Sequence, residues 1–269
     1  MQELRHEALR LLAMTDPDAK RDGVMTLYEQ YLAGHISIDA SIVLHEHQEL
    51  IPGRPDKPLL VNPAQVQRRS MHTVEGRAVL IHALAHIEFN AINLALDAVW
   101  RFPKMPHQYY ADWMQIAKEE AYHFDLLHRH LQDLGYCYGD FPAHNSLWEM
   151  VQKTTDSPLA RMALVPRTME ARGLDALPPI LDRLVQVKDQ AAVDILEIIY
   201  RDEIGHVQIG NRWFNYLCQL ENIDPVATYA ELAKKYRAPK IKGPLNIKAR
   251  KEAGFTDDEL AALTHATGS

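Results

Sequence analysis

The run KEEAYHFDLLHRHL at residues 118–131 places Glu120 and His123 three positions apart, and RDEIGHVQIGNRWF at 201–214 repeats the arrangement with Glu203 and His206. Each run follows a lone glutamate: Glu88 lies 32 residues before Glu120, and Glu170 lies 33 before Glu203. The lone glutamates are 82 residues apart and the two Glu-x-x-His runs 83. Residues i and i+3 share a helix face, so the carboxylate and imidazole of one run reach toward a single point off the axis. A carboxylate can bridge two metal ions, and a neutral imidazole can terminate one. Four buried carboxylates would be costly on their own and most would take up protons, whereas two divalent cations balance their charge. The repeat is read as four helices gripping two metal ions, with half of the site on each helical hairpin.

Glu-x-x-His alone carries little weight, since composition yields about one match by chance. A third match, Glu3-Leu-Arg-His6, is read as accidental. The specific signal is the recurrence of the whole triplet at nearly the same interval.

The remaining sequence is consistent with a helical chain. With 269 residues, 47% hydrophobic and 24% charged, burying a sizeable core presents no difficulty. Cys137 and Cys218 are far apart and lack Cys-x-x-Cys spacing, which argues against a disulfide scaffold or a thiolate metal site and for a reducing compartment. The N-terminal segment mixes acids with bases and does not read as a secretory signal. No apolar run is read as a membrane span, so a cytoplasmic protein without a membrane partner is expected. Phosphate-binding glycine loops, nucleophile elbows and the zinc-protease H-E-x-x-H motif are all missing.

Residues 1–35 read as two short helices broken near Asp16-Pro17 and ending around Gly34, followed by a proline-rich loop to residue 70. Bundle helices are expected at about 72–100, 107–134, 157–173 and 189–221. In the first, Ile81, Ala85, Ile92 and Ala95 surround Glu88 on one face; in the second, Ile116, Glu120, His123 and Leu127 share a face. Pro166 is expected to kink the third helix one turn before Glu170, and Pro178-Pro179 to break the segment beyond Gly173. The fourth shows the cleanest stripe: Leu196, Ile199, Glu203, His206, Gly210, Trp213 and Leu217. Short helices are expected near 146–153 and 257–265, the latter with Thr256 and Glu259 as a capping box. The chain is thus divided into N-terminal helices and loop (1–70), a bundle (71–225) and a basic extension (226–269).

Net charge is −7, yet residues 234–251 hold eight Lys or Arg and no acid. Removing those eight from the 29 bases leaves 21 against 36 acids, or −15, on the rest of the chain. A solvated basic tail is the plainer reading; contact with RNA or another anionic partner, through residues such as Lys234, Lys235 and Lys240, is the sharper one. Tyr236 is the only aromatic residue there, so no base-stacking platform is indicated.

Tyr200 precedes Glu203 by three residues and so lies near the ligand face; a redox or catalytic role there competes with an ordinary core tyrosine. His82, His86 and His130 are read as core or surface histidines, and His45-Glu46-His47 as structural. Arg172 is left open between pairing with a carboxylate and meeting a substrate.

AHIEFNAINLALDAVWRF (85–102), with the runs at 118–131 and 201–214, resembles the ferritin-like superfamily of di-iron carboxylate proteins, and within it an uncharacterised bacterial family. The likeness covers most of residues 50–255; a more distant resemblance is to the tRNA hydroxylase acting on an isopentenyl-type modified adenosine. It implies an all-α, ferritin-like four-helix bundle in which Glu120 and Glu203 bridge the metals. Glu88 and Glu170 would then be terminal ligands, with His123 and His206 one on each metal. Iron is the expected metal, with manganese and zinc as alternatives, since hard carboxylates with imidazole suit all three. The expected activity is oxidation or hydroxylation of a small organic substrate by dioxygen, with an electron donor and a homo-oligomeric state as further expectations. The competing readings are peroxide disproportionation by manganese, a tRNA-modifying hydroxylase, iron storage, and a non-catalytic metal-binding protein.

Overall fold

Capping residues set where the helices begin. The computed structural model describes residues 2–45, 51–66, 69–241 and 243–267, and the chain divides into two units, Met1–Ser146 and Leu147–Ser269.

In the first unit, β1 (Gln2–Glu3) leads into α1 (Leu4–Leu12), and Glu3 caps that helix by accepting from the His6 amide at 2.9 Å. The Glu3-x-x-His6 match, read as accidental, is a helix start. Asp16 accepts from Ala19 N at 2.8 Å, and Pro17 opens α2 (Pro17–Leu32), where a missing amide hydrogen costs nothing. Gly34 follows with φ +72°. β2 (Ile36–Ser37) pairs in parallel with β1; two residues are too few for alternation to show in a sequence.

Thr73 accepts from Gly76 N at 3.0 Å to start α3 (Val74–Arg101). After the turn at residues 102–106, α4 (His107–Asp133) packs back along α3 and stops before Gly135 at φ +84°. α1 packs on α3, and α2 on α4. By length and composition α3 could cross a membrane, although no apolar run is read as a span; 78% of its most apolar window is buried within the protein. Buried Arg5 ties the unit together by donating to the carbonyls of Asp39 (3.2 Å), Ile42 (2.6 Å) and Trp100 (2.7 Å).

Lys20 is fully buried and, as the ammonium, donates to Leu12 O (3.2 Å), Gly53 O (2.9 Å) and Asn93 Oδ1 (2.5 Å). Burial, and then the Arg54 charge, pull its pKa down from 10.5 to about 7. Between those values the unfolded chain holds a proton that the folded chain has released. Stability therefore rises with pH across that window, by at most about 1.4 kcal/mol per unit, and the effect vanishes below it. Unfolding wild type and Lys20→Met at about pH 7.5 and 9.5 checks this: wild type should gain on the variant at the higher pH. Parallel behaviour of the two proteins would rule it out.

The second unit begins after Ser146, where α5 (Ser146–Lys153) starts. α6 (Pro158–Leu164) is capped by Ser157, whose Oγ accepts from Ala160 N at 3.1 Å. Pro166 does not simply kink the helix: residues Val165–Glu170 form a π-helical turn, and α7 (Ala171–Gln186) continues from it. α7 also runs through Pro178 and Pro179, where a break is expected. The Leu174 carbonyl, which Pro178 cannot serve, accepts instead from Asn246 Nδ2 at 3.2 Å. α8 (Gln190–Glu221) packs against α6, the π-turn and α7. A Cβ at Gly210 would lie 2.5 Å from Pro166 Cβ, so the space this glycine frees is filled by the proline ring rather than left for a substrate.

α9 (Pro225–Lys235), α10 (Ile247–Glu252) and α11 (Asp257–Thr267) complete the unit. Thr256 and Glu259 form the capping box, with Thr256 N donating to Glu259 Oε2 (2.8 Å) and Glu259 N to Thr256 Oγ1 (3.3 Å). The basic stretch is not uniformly solvated. Lys234, Lys235 and Lys240 are exposed, but Arg250 is buried and pairs with Asp175 at 2.6 Å. Ala249, Ala253, Phe255, Leu260 and Leu263 share a core with Ala171, Leu174 and Val207. The architecture is all-α.

Candidate metal centre

The apolar stripes of the two units carry the ligand candidates inward. On α3, Ile81, Ala85, Glu88, Ile92 and Ala95 are all buried; on α4, so are Ile116, Glu120, His123 and Leu127. Glu120 and His123 have no exposed surface, and Glu88 retains 3%. His123 Nδ1 lies 3.4 Å from Glu120 Oε2 and 3.7 Å from Glu88 Oε2. One donor atom from each of the three residues falls within 4.8 Å of the others. Donors about 2.0–2.2 Å from a shared ion stand about 3–4 Å apart, so the cluster could hold a metal ion. Two carboxylate oxygens with an imidazole nitrogen suit a divalent transition metal.

In the second unit, Glu203 and His206 lie on the buried stripe of α8, and His206 Nδ1 is 3.7 Å from Glu203 Oε1. Glu170 is the last residue of the π-turn and is buried. Both Glu-x-x-His pairs thus turn the same ring nitrogen toward the carboxylate three residues earlier.

The remaining candidates are placed as follows. Tyr200 is half-buried beside the α10–α11 core, and its hydroxyl accepts from Asn246 Nδ2 at 2.8 Å; burial raises its pKa. His82 Nε2 accepts from Gly139 N at 2.9 Å, and His86 Nδ1 bonds the Tyr138 hydroxyl at 2.8 Å. Burial foremost holds His82 down to about 4 and His86 to about 3, so both remain neutral near pH 7. His130 is buried on α4, and Arg172 is exposed. Of the His45–His47 cluster only His45, which is exposed, lies within the described residues.

Reading the sequence alone missed Arg167. It is fully enclosed on the π-turn, ion-paired to Glu259 at 2.6 Å and donating to Asn211 Oδ1 at 2.7 Å. The capping box drew attention to Glu259, but nothing in its spacing reveals that the second carboxylate oxygen meets an arginine 92 positions earlier.

Fold and site together define an all-α protein with a buried glutamate and histidine cluster able to hold metal. Residues 13–261 match the family model described as "Protein of unknown function (DUF455)", and the chain belongs to that family. It is 47% identical over 261 residues to a Haemophilus influenzae protein named "Uncharacterized protein", a match covering 93% of this chain and 89% of the relative. No solved structure matches the chain.

Proposed function

We propose that the two triplets form one dinuclear, ferritin-like centre, with iron as its metal, and that the protein is an oxidoreductase using dioxygen on a small organic substrate. The observation that carries this reading is the repeat itself: Glu88, Glu120, His123, Glu170, Glu203 and His206 all fall on buried surfaces, at matching intervals. Four carboxylates and two imidazoles suit two divalent cations in charge and donor type. Bound iron would supply the capacity to reduce dioxygen and to oxidise an organic C–H bond. Glu88, Glu120, Glu170 and Glu203 would hold the ions through their carboxylates, with His123 and His206 each fixed by its helix face, and the surrounding apolar stripes would exclude bulk water.

The test is oxygen uptake by the reduced, iron-loaded protein, followed with an oxygen electrode. Rapid consumption without added peroxide, about one dioxygen per pair of ferrous ions, is expected. Oxygen evolution from peroxide without a reductant would move disproportionation to the front, and an inert reduced sample would leave a metal-binding protein without this chemistry.

A further inference from the structure

The π-helical turn that presents Glu170 is gripped on both sides of that residue by the C-terminal segment. Before it, Arg167 pairs with Glu259 at 2.6 Å, and the Thr168 hydroxyl bonds the Tyr229 hydroxyl at 3.0 Å. The Arg167 guanidinium lies 4.6 Å from the Phe255 ring centre and 4.8 Å from that of Phe214. After it, Arg250 donates to the Ala171 carbonyl at 3.2 Å and pairs with Asp175 at 2.6 Å. Two buried cations and their partners therefore bracket one buried carboxylate.

The winding of this turn decides where Glu170 points. One residue more or less in a helical turn rotates everything beyond it by about 100°. π-Turns are rare and are held by their surroundings rather than by intrinsic preference. Local chain contributes something here, since Thr168 Oγ1 donates to Ala163 O at 2.8 Å and Pro166 fills the space over Gly210. The ionic contacts, however, come from Arg250 on α10 and from Glu259 on α11.

We propose that α9, α10 and α11 are a clamp holding the π-turn, and that Glu259, acting through Arg167, is a positioning residue that keeps Glu170 aimed for metal. This rests on the reading of Glu170 as a ligand. Glu259 touches no metal; its effect is on the register of the turn.

The full-length protein is loaded anaerobically with ferrous iron, and wild type is compared with Glu259→Leu and Glu259→Gln. Metal per chain is measured, together with hydrogen exchange of the 167–171 amides in the metal-free proteins. In Glu259→Leu, exchange should rise about tenfold or more while α3 is unchanged, and metal content should fall by about one ion per chain. Glu259→Gln keeps an acceptor and should be intermediate. Faster exchange with full metal content would mean a purely structural contact and would overturn the positioning role; unchanged exchange would overturn the clamp. If Glu259→Leu fails to fold, wild-type values for both readouts in Glu259→Gln overturn it instead. Wild type that takes up no iron sinks the proposed function, while exchange in the metal-free protein still decides the clamp.

Discussion

Glu120→Ala is expected to abolish metal binding while leaving the metal-free protein at least as stable as wild type. Glu120 has no exposed surface, and His123 Nδ1 lies 3.4 Å from its carboxylate, with Glu88 close by. Burying carboxylates so near one another costs free energy in the absence of a cation, and alanine removes one of them. A residue retained for folding would behave in the opposite way: its loss would destabilise the metal-free chain. Elemental analysis should show about two iron per chain in wild type and close to none in the variant. Thermal unfolding of both metal-free proteins supplies the second readout. A variant that keeps its metal, or that unfolds well below wild type when metal-free, would show that Glu120 serves the core and not the centre.

Arg167→Met should be among the most destabilising single changes in the second unit. It leaves Glu259, 4% exposed, without its counter-ion, and takes a donor from Asn211. Removing one member of a buried pair typically costs about 3–5 kcal/mol, whereas replacing both by apolar residues is often close to neutral. Methionine keeps an unbranched apolar chain beside the rings of Phe214 and Phe255, which lie 4.8 and 4.6 Å from the Arg167 guanidinium. Arg167→Met/Glu259→Leu should therefore recover most of the loss, less the capping bond to Thr256 N. Denaturant unfolding of the two single variants and the double decides the matter. If Arg167→Met costs less than about 1 kcal/mol, or if the double variant is no better than the single, the pair contributes little to the second unit's stability.

Three of the four helices that carry candidate ligands were legible in the sequence because their signals are local. An apolar stripe at helical spacing and a terminating glycine each lie within one element, as with the Ile81–Ala95 stripe and Gly135. The third helix was not legible. Proline has no amide hydrogen wherever it sits, and what that costs depends on who serves the orphaned carbonyl. At Pro178 the server is Asn246, far along the chain. At Pro166 the answer is a π-turn seated over Gly210.

By itself, then, the sequence determined that the protein is all-α and that two Glu-x-x-His faces, each with a lone glutamate on another helical segment, occupy apolar stripes. It did so because helical periodicity and the repeat interval are one-dimensional quantities. Only the tertiary structure decided that His123, Glu120 and Glu88 approach within reach of a common ion, and that the basic C-terminal stretch buries Arg250 against Asp175. It also decided that Glu170 is presented by a π-turn locked through Arg167 and Glu259. Those are contacts between residues tens of positions apart, and their energies depend on burial and partner geometry, neither of which is written in the spacing of the chain.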